Sequence, residues 1–200
     1  MTNPAIHRVI EQRAASCGGD VAIVDGDRQI TYRELNQGAN ALARRLIAQG
    51  FRRGAHASVC MPHGVDLAFV LLAVLKNGGS YTWGGELASE PDGIAIHVGP
   101  AGPEDQYLHV DASALLRNIQ GAVSPNLPIV TRGSDTACVL RDPEGNRVIH
   151  VPHDALTALQ DTDVAARAAW GGEPGALDLW VALMTGRTVV VEDKPLEAAA

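Results

Sequence analysis

The chain has 200 residues, enough for one domain, and its 46% hydrophobic content suffices for a normal core. Its 16 Lys and Arg against 23 Asp and Glu leave a net charge of −7, which argues against a nucleic-acid or anionic-membrane surface, since either would repel the chain. Only 4% of residues are aromatic, so the core has to be built mostly from Ala, Val, Leu and Ile.

Ile6, Val9 and Ile10 mark a short amphipathic helix that stops before Gly18 and Gly19. Val21 to Val24 reads as a strand, Asp25-Gly26-Asp27 as a hairpin turn, and Gln29-Ile30 as the returning strand. Thr31 then opens a helix. Thr31 and Glu34 have capping-box spacing, in which hydroxyl and carboxylate each satisfy a backbone N–H that the helix leaves unpaired. Leu35, Ala39, Leu42 and Leu46 recur at helical spacing, and Gly50 is placed to end the helix. The pairs Arg44-Arg45 and Arg52-Arg53 suit the negative end of its dipole and read as solvated.

Ala57 to Met61 is the next strand, followed by an apolar helix from Val65 to Lys76, a stop at Gly78-Gly79 and a short strand at Ser80-Tyr81-Thr82. Ile94 to Val98 and Tyr107 to Val110 read as strands, within and just past a weakly structured loop region at about residues 84–104. Asp111 is placed to cap a helix through Leu115, Leu116 and Ile119. Thr136 to Leu140 and Val148 to Val151 flank a turn at Asp142-Pro143-Glu144-Gly145. Leu177 to Thr185 is a final helix with Gly186 as its stop, and Thr188 to Val191 a final strand. Strands alternating with helices imply an α/β fold, a largely parallel sheet flanked by helices, in a single domain over residues 1–200. Leu35, Leu42, Leu46, Leu71, Leu72 and Leu75 are expected in the core. The strands Val139-Leu140 and Val189 to Val191 are apolar on both faces, which suits a sheet covered on both sides.

Cys17, Cys60 and Cys138 are odd in number and far apart, and no secretory apolar region follows Met1, so free thiols in a cytoplasmic protein are the expectation. Cys60 falls in a buried-strand pattern, where cysteine acts as a small hydrophobe. His150-Val-Pro-His153 puts two imidazoles three residues apart, but Pro152 lies between them and no third ligand stands at metal-binding spacing. No metal site is assigned.

Residues 30 to 85 carry a family resemblance. The run Ile30-Thr-Tyr-Arg-Glu-Leu-Asn36 with Ala39-Asn40-Ala-Leu-Ala43 resembles the opening helix of the adenylation domains of nonribosomal peptide synthetases, members of the AMP-binding, acyl-adenylate-forming superfamily. Leu72-Ala-Val-Leu-Lys-Asn-Gly-Gly-Ser-Tyr-Thr82 resembles the second core motif of that family. The similarity resumes at Ser134 to Leu140, a strand that in the family feeds the phosphate-binding loop. It returns at Leu177 to Val191, around Ala182-Leu-Met-Thr-Gly186, which resembles the helix and strand after the fourth core motif. The resemblance also implies that His153 stands at the start of a helix.

The resemblance makes the catalytic parts conspicuous by their absence. A phosphate loop presents several backbone N–H groups, for which it needs glycines and small hydroxyl residues. At the matching place stands Arg141-Asp142-Pro143-Glu144-Gly145-Asn146-Arg147, roughly three residues shorter than the family loop. Pro143 offers no N–H. Asp142 and Glu144 bring negative charge toward a triphosphate, each repulsion costing about 1–4 kcal/mol at ~4 Å. Only Arg147 stands where the family has its loop lysine. The family's ribose-binding acid, magnesium-associated glutamate and catalytic lysine all lie further along than Ala200, and neither Lys76 nor Lys194 replaces the last. Counting back from Ala182 puts Glu173 where the family has the aspartate that pairs with the substrate amino group, so Glu173 is the one substrate-binding candidate.

The expectation is therefore a truncated, non-catalytic adenylation-like protein with no catalytic residue, cofactor or metal. It would act by structure or protein contact in a nonribosomal peptide pathway. Its partner would be itself or a carrier, condensation or adenylation domain, with no nucleic acid and no membrane. Two other readings remain open at this point: the N-terminal half of a split amino-acid-adenylating ligase, and a module that binds an amino acid or acyl group without activating it.

Overall fold

A computed structural model describes residues 4–83, 94–97, 108–111, 116–119, 121–128, 131–141, 148–161, 169–170 and 176–191. The N-terminal half contains α1 (Ile6–Ser16), β1 (Val21–Asp25), β2 (Arg28–Thr31), α2 (Tyr32–Ala48), β3 (His56–Cys60), α3 (Val65–Lys76), β4 (Ser80–Trp83) and β5 (Ile94–His97). The remainder contains β6 (Leu108–Asp111), β7 (Thr136–Arg141), β8 (Val148–Pro152), α4 (His153–Ala158), β9 (Ala169–Trp170), α5 (Leu177–Thr185) and β10 (Val189–Val191).

The expected capping box forms. The Glu34 amide donates to Thr31 Oγ1 at 3.2 Å, and the Thr31 amide donates to Glu34 Oε2 at 2.8 Å. The expected apolar helix occupies Val65–Lys76 as α3, and its side chains from Leu67 to Lys76 are all buried. A helix apolar all round has to be covered all round, and the topology supplies the cover. One sheet has the order β2-β1-β10-β9, the other β6-β5-β3-β4-β7-β8. α3 packs on β4 of the second sheet, on β1 of the first and along α2, so a helix layer lies between two sheets. Leu35, Leu42, Leu46, Leu71, Leu72 and Leu75 are all fully buried there, as expected.

Pairing is parallel as expected, except that β2 and β8 run antiparallel to their neighbours. The division into two sheets is new information: β10 returns to pair with β1, Ile23 opposite Val189. Three local expectations need correction. Leu116 is helical, but Asn118 at φ 58 ends the helix short of Ile119; residues 112–115, between β6 and Leu116, lie outside the described residues. Arg44 and Arg45 are tied down: Arg44 Nη1 donates to Ser124 Oγ at 2.8 Å and Arg45 Nη1 to the Arg117 carbonyl at 2.7 Å. Cys60 is exposed, because it ends β3 on the outward side of an alternating His-Ala-Ser-Val-Cys pattern. Val190 is 47% exposed, so the apolar strand β10 leaves one face uncovered. No helix among the described residues is long and apolar enough to cross a membrane.

Candidate functional site

In open α/β sheets, ligands enter at the carboxyl ends of the parallel strands. In the larger sheet those ends are Cys60, Trp83, His97, Asp111 and Arg141. β7 and β8 stay paired out to Arg141 opposite Val148, leaving six residues, 142–147, to connect them. Asp142, Pro143, Glu144, Gly145 and Arg147 therefore belong to this rim by sequence, but they lie outside the described residues, as does Glu173. The flanks of Glu173 are β9 on one side and Ala176, at φ 55, before α5 on the other.

The described part of the same rim holds a cleft of about 720 Å³ between the segment after β3, the β1–β2 hairpin and residues 116–119. Asp25 organises it. Its Oδ2 accepts the Val65 amide at 3.0 Å, capping α3 from a different element. A Cβ on Gly64 would lie 2.9 Å from that oxygen, and Gly64 has φ 151, so glycine is needed there twice over. Arg28 Nη2 meets Asp66 Oδ1 at 3.0 Å across the mouth. Met61, Phe69 and Ile119 give the cleft apolar walls.

At the other end of α3 lies a buried polar group that sequence reading missed. Lys76 Nζ donates to Glu11 Oε1 at 2.6 Å, with side-chain exposures of 1% and 7%. Burial pulls Lys76 down to about 8, while the charge and hydrogen bond of Glu11 oppose the shift. His7 and His153 sit edge to face beside it, ring centroids 5.9 Å apart. His153 starts α4, as the resemblance implied, and its Nδ1 accepts the Ile6 amide at 3.3 Å. Burial lowers His153 to about 4, and lowers His7 to about 2 with help from the Lys76 charge. The available signal was a lysine inside a helix that is otherwise apolar on every side. His150 is exposed on β8 while His153 is buried, so the two do not converge; no metal-binding group of three or more His, Cys, Asp or Glu occurs among the described residues.

Tyr81 Oη accepts the Trp180 indole N–H at 2.5 Å, joining β4 to α5 in the core. Cys138 beside it is pushed up to about 12 by burial, which makes it an inert thiol at neutral pH.

Residues 10–90 match the family described as AMP-binding enzyme. Tyrocidine synthase 1 of Brevibacillus parabrevis is 39% identical over 77 residues, covering 38% of this chain and 7% of that protein. Bacitracin synthase 1 of Bacillus licheniformis is 25% identical over 227 aligned positions, covering 94% of this chain and 4% of that protein. Among solved structures, an artificially fused adenylation–PCP di-domain of NpsA and ThdA from Klebsiella oxytoca superimposes with a TM-score of 0.82 at 19% identity, over 99% of this chain and 41% of that one. The Klebsiella oxytoca NpsA N-terminal subdomain in complex with 3-hydroxybenzoyl-AMSN gives 0.75 at 20% identity, over 98% of this chain and 55% of that one. The chain thus spans a few per cent of the curated synthetases and about half of the structures it resembles. It is similar over residues 10–90 to AMP-binding enzymes, and its fold is that of the adenylation N-terminal subdomain.

Proposed function

We propose that this protein is a non-activating adenylation-like protein that works by contact with another protein of a peptide-synthetase system. The observation that supports it most is at the β7–β8 connection. Pairing out to Arg141 and Val148 leaves only Asp142 to Arg147 for a phosphate cradle. That span carries two carboxylates and a proline, against a ligand that requires N–H donors and positive charge. The test is calorimetry with Mg·ATP alongside amino-acid-dependent pyrophosphate exchange on the whole chain. The expected result is no saturable nucleotide binding below about 1 mM, the level worth roughly 4 kcal/mol, and no exchange. Either activity overturns the reading.

The contact half of the reading rests on β8. It ends the strand order of the larger sheet, and Val148 and Ile149 on it are 46% and 52% exposed. Adjacent residues of a strand point to opposite faces, so apolar surface is presented on both sides of a terminal strand, the kind of surface partners use. A second copy, or a carrier, condensation or adenylation domain, is the proposed occupant, with at least about 1,000 Å² buried in total. Sedimentation of a monomer at high concentration, with no synthetase domain retained on the immobilised chain, counts against it.

A further inference from the structure

The rim of the larger sheet opposite to the one just described carries a second cavity, of about 650 Å³, within the range of small-molecule sites. It opens where β3, β4 and β7 begin. The register sets His56 beside Ser80, Ser58 beside Thr82, Tyr81 beside Cys138, and Val139 beside His150. Because side chains alternate faces along a strand, His56, Ser80, Thr82 and His150 share one face. Tyr81 and Cys138 take the other, where Trp180 packs. The parallel strands are thus apolar toward the helix layer and polar away from it.

His56 is fixed in that polar face by both ring nitrogens. Nδ1 shares a hydrogen bond with Ser80 Oγ at 3.0 Å, and Nε2 shares one with Thr82 Oγ1 at 2.9 Å. A neutral imidazole has one N–H and one lone pair, so one of the two hydroxyls accepts from it and keeps its own proton to donate elsewhere. An imidazolium leaves both hydroxyl protons available. Arg53, Ser134 and His150 line the same cavity, so residues bearing a guanidinium, a further hydroxyl and a second imidazole border it. Among the described residues the carboxylate there is that of Asp135, engaged through Oδ2 by the Arg132 amide at 2.8 Å. The floor is stiff. A Cβ on Gly79 would lie 2.5 Å from Phe51 Cζ and 2.8 Å from the Ala55 carbonyl oxygen, so backbone and ring are already in contact below Ser80.

We propose that this cavity binds a small oxyanion, with Arg53 as the charged anchor and the Ser80 and Ser134 hydroxyls as directed donors. Phosphate and carboxylate groups share the chemistry that guanidinium and hydroxyl donors recognise. The site is separate from the strand ends where the resemblance puts nucleotide, and the proposal stands whether or not the chain activates anything.

The test is calorimetric titration of the whole chain with inorganic phosphate and, separately, with acetate, at ionic strength held constant with sodium chloride. Saturable binding of one of them is expected, weakened at least about tenfold by Arg53→Ala and more mildly by Ser80→Ala, the loss of one charge-assisted contact being roughly that large. Arg52→Ala, next in sequence but not lining the cavity, should leave binding unchanged. Preference for phosphate assigns a phosphoryl ligand and preference for acetate a carboxylate ligand. Both arginines are exposed, and circular dichroism of the two variants checks that the fold is kept. If neither anion saturates below about 10 mM, an affinity under roughly 3 kcal/mol, or if the two arginine variants weaken binding equally, the proposal is overturned.

Discussion

Removing Glu11 should cost far more than removing Glu11 and Lys76 together. The pair is buried, with Lys76 at 1% exposure and an Nζ–Oε1 separation of 2.6 Å. Glu11→Leu deletes the two influences that hold the ammonium up, the Glu11 charge and its hydrogen bond, and leaves burial and the Arg8 and Arg44 charges pulling it down. Stranding one member of a buried pair typically costs about 3–5 kcal/mol, whereas replacing both by apolar groups is often neutral or better. The penalty has a ceiling. Instead of keeping an unpaired ammonium, Lys76 gives up its proton, which at pH 7 costs about 5 kcal/mol against its unfolded value of 10.5, at 1.36 kcal/mol per unit. In the wild type the folded value of about 8 lies below the unfolded one, so the burial penalty applies in full below pH 8 and is relieved as pH climbs toward 10.5. The variant, with Lys76 already neutral, should gain about 1.4 kcal/mol between pH 7 and 8, where this lysine leaves the wild type nearly flat. Urea unfolding of Glu11→Leu and of Glu11→Leu/Lys76→Met, read from midpoints at constant m-value, measures both effects. A single variant within about 1 kcal/mol of wild type, or a double variant as unstable as the single, refutes the reasoning.

Acid should loosen the fold through the neighbouring imidazoles. His7 at about 2 and His153 at about 4 lie below the unfolded 6.5, so the unfolded chain takes up protons that the fold refuses, and stability falls as pH drops from 6.5. The loss between pH 7 and 5 is about 2 kcal/mol per imidazole; urea midpoints through that range should show it, with the slope reduced by roughly half in His153→Asn, and a flat wild-type profile contradicts it. Trp180→Phe removes the donor to Tyr81 Oη and leaves that hydroxyl buried without it, costing about 2–4 kcal/mol in thermal or urea unfolding. Adding Tyr81→Phe should cost little more, and strict additivity of the two would disprove their coupling. Thr31→Ala opens one side of the capping box on α2 and should cost about 1 kcal/mol in the same assay; no change would mean that the cap is redundant.

Where the fold was legible, the signal was local. Thr31 and Glu34 stand at the one spacing that lets two side chains satisfy each other's amides, and the cap formed. Leu67 to Leu75 is an unbroken apolar run between Gly64 and Gly78, and it became the body of a helix over Val65–Lys76. Illegible features depend on partners far apart in sequence. Nothing near Lys76 announces Glu11, and Arg44 and Arg45 looked solvated until Ser124 and the Arg117 carbonyl were placed over them. The pairing of β1 with β10 cannot be read from either strand, because a parallel ladder leaves no mark on the residues between. The candidate site splits in the same way. The proposed unsuitability of Asp142, Pro143 and Glu144 for phosphate is argued from composition alone, whereas bringing Arg53, His56, Ser80 and Ser134 to one cavity needs three strand starts in register.

The segment that carries the family match is not the unit that folds. Residues 10–90 hold α2 and α3, but α3 is buried on every side, and residues 10–90 supply only part of its surroundings. β1 has β10 as one neighbour, and α5 reaches α1 from the far end of the described chain. The Tyr32 hydroxyl, at the start of α2, donates to the carbonyls of Leu183 at 3.1 Å and Arg187 at 2.8 Å, while Arg13 Nε donates to the Met184 carbonyl at 2.9 Å. The Leu183 and Met184 carbonyls in the last turn of α5 and the Arg187 carbonyl just past it thus accept from side chains of the N-terminal helices. Thr188 Oγ1 adds a bond to the Val21 carbonyl at 2.8 Å. These ties cross 171 residues in the longest case, so their loop-closure cost is met only when both ends of the chain assemble together. The weak similarity at Leu177 to Val191 therefore has a structural basis independent of catalysis: the sequence there has to close the helix layer. That requirement would persist in a chain that had given up phosphate binding, so a maintained fold is compatible with the proposed loss of phosphate binding at Asp142–Arg147.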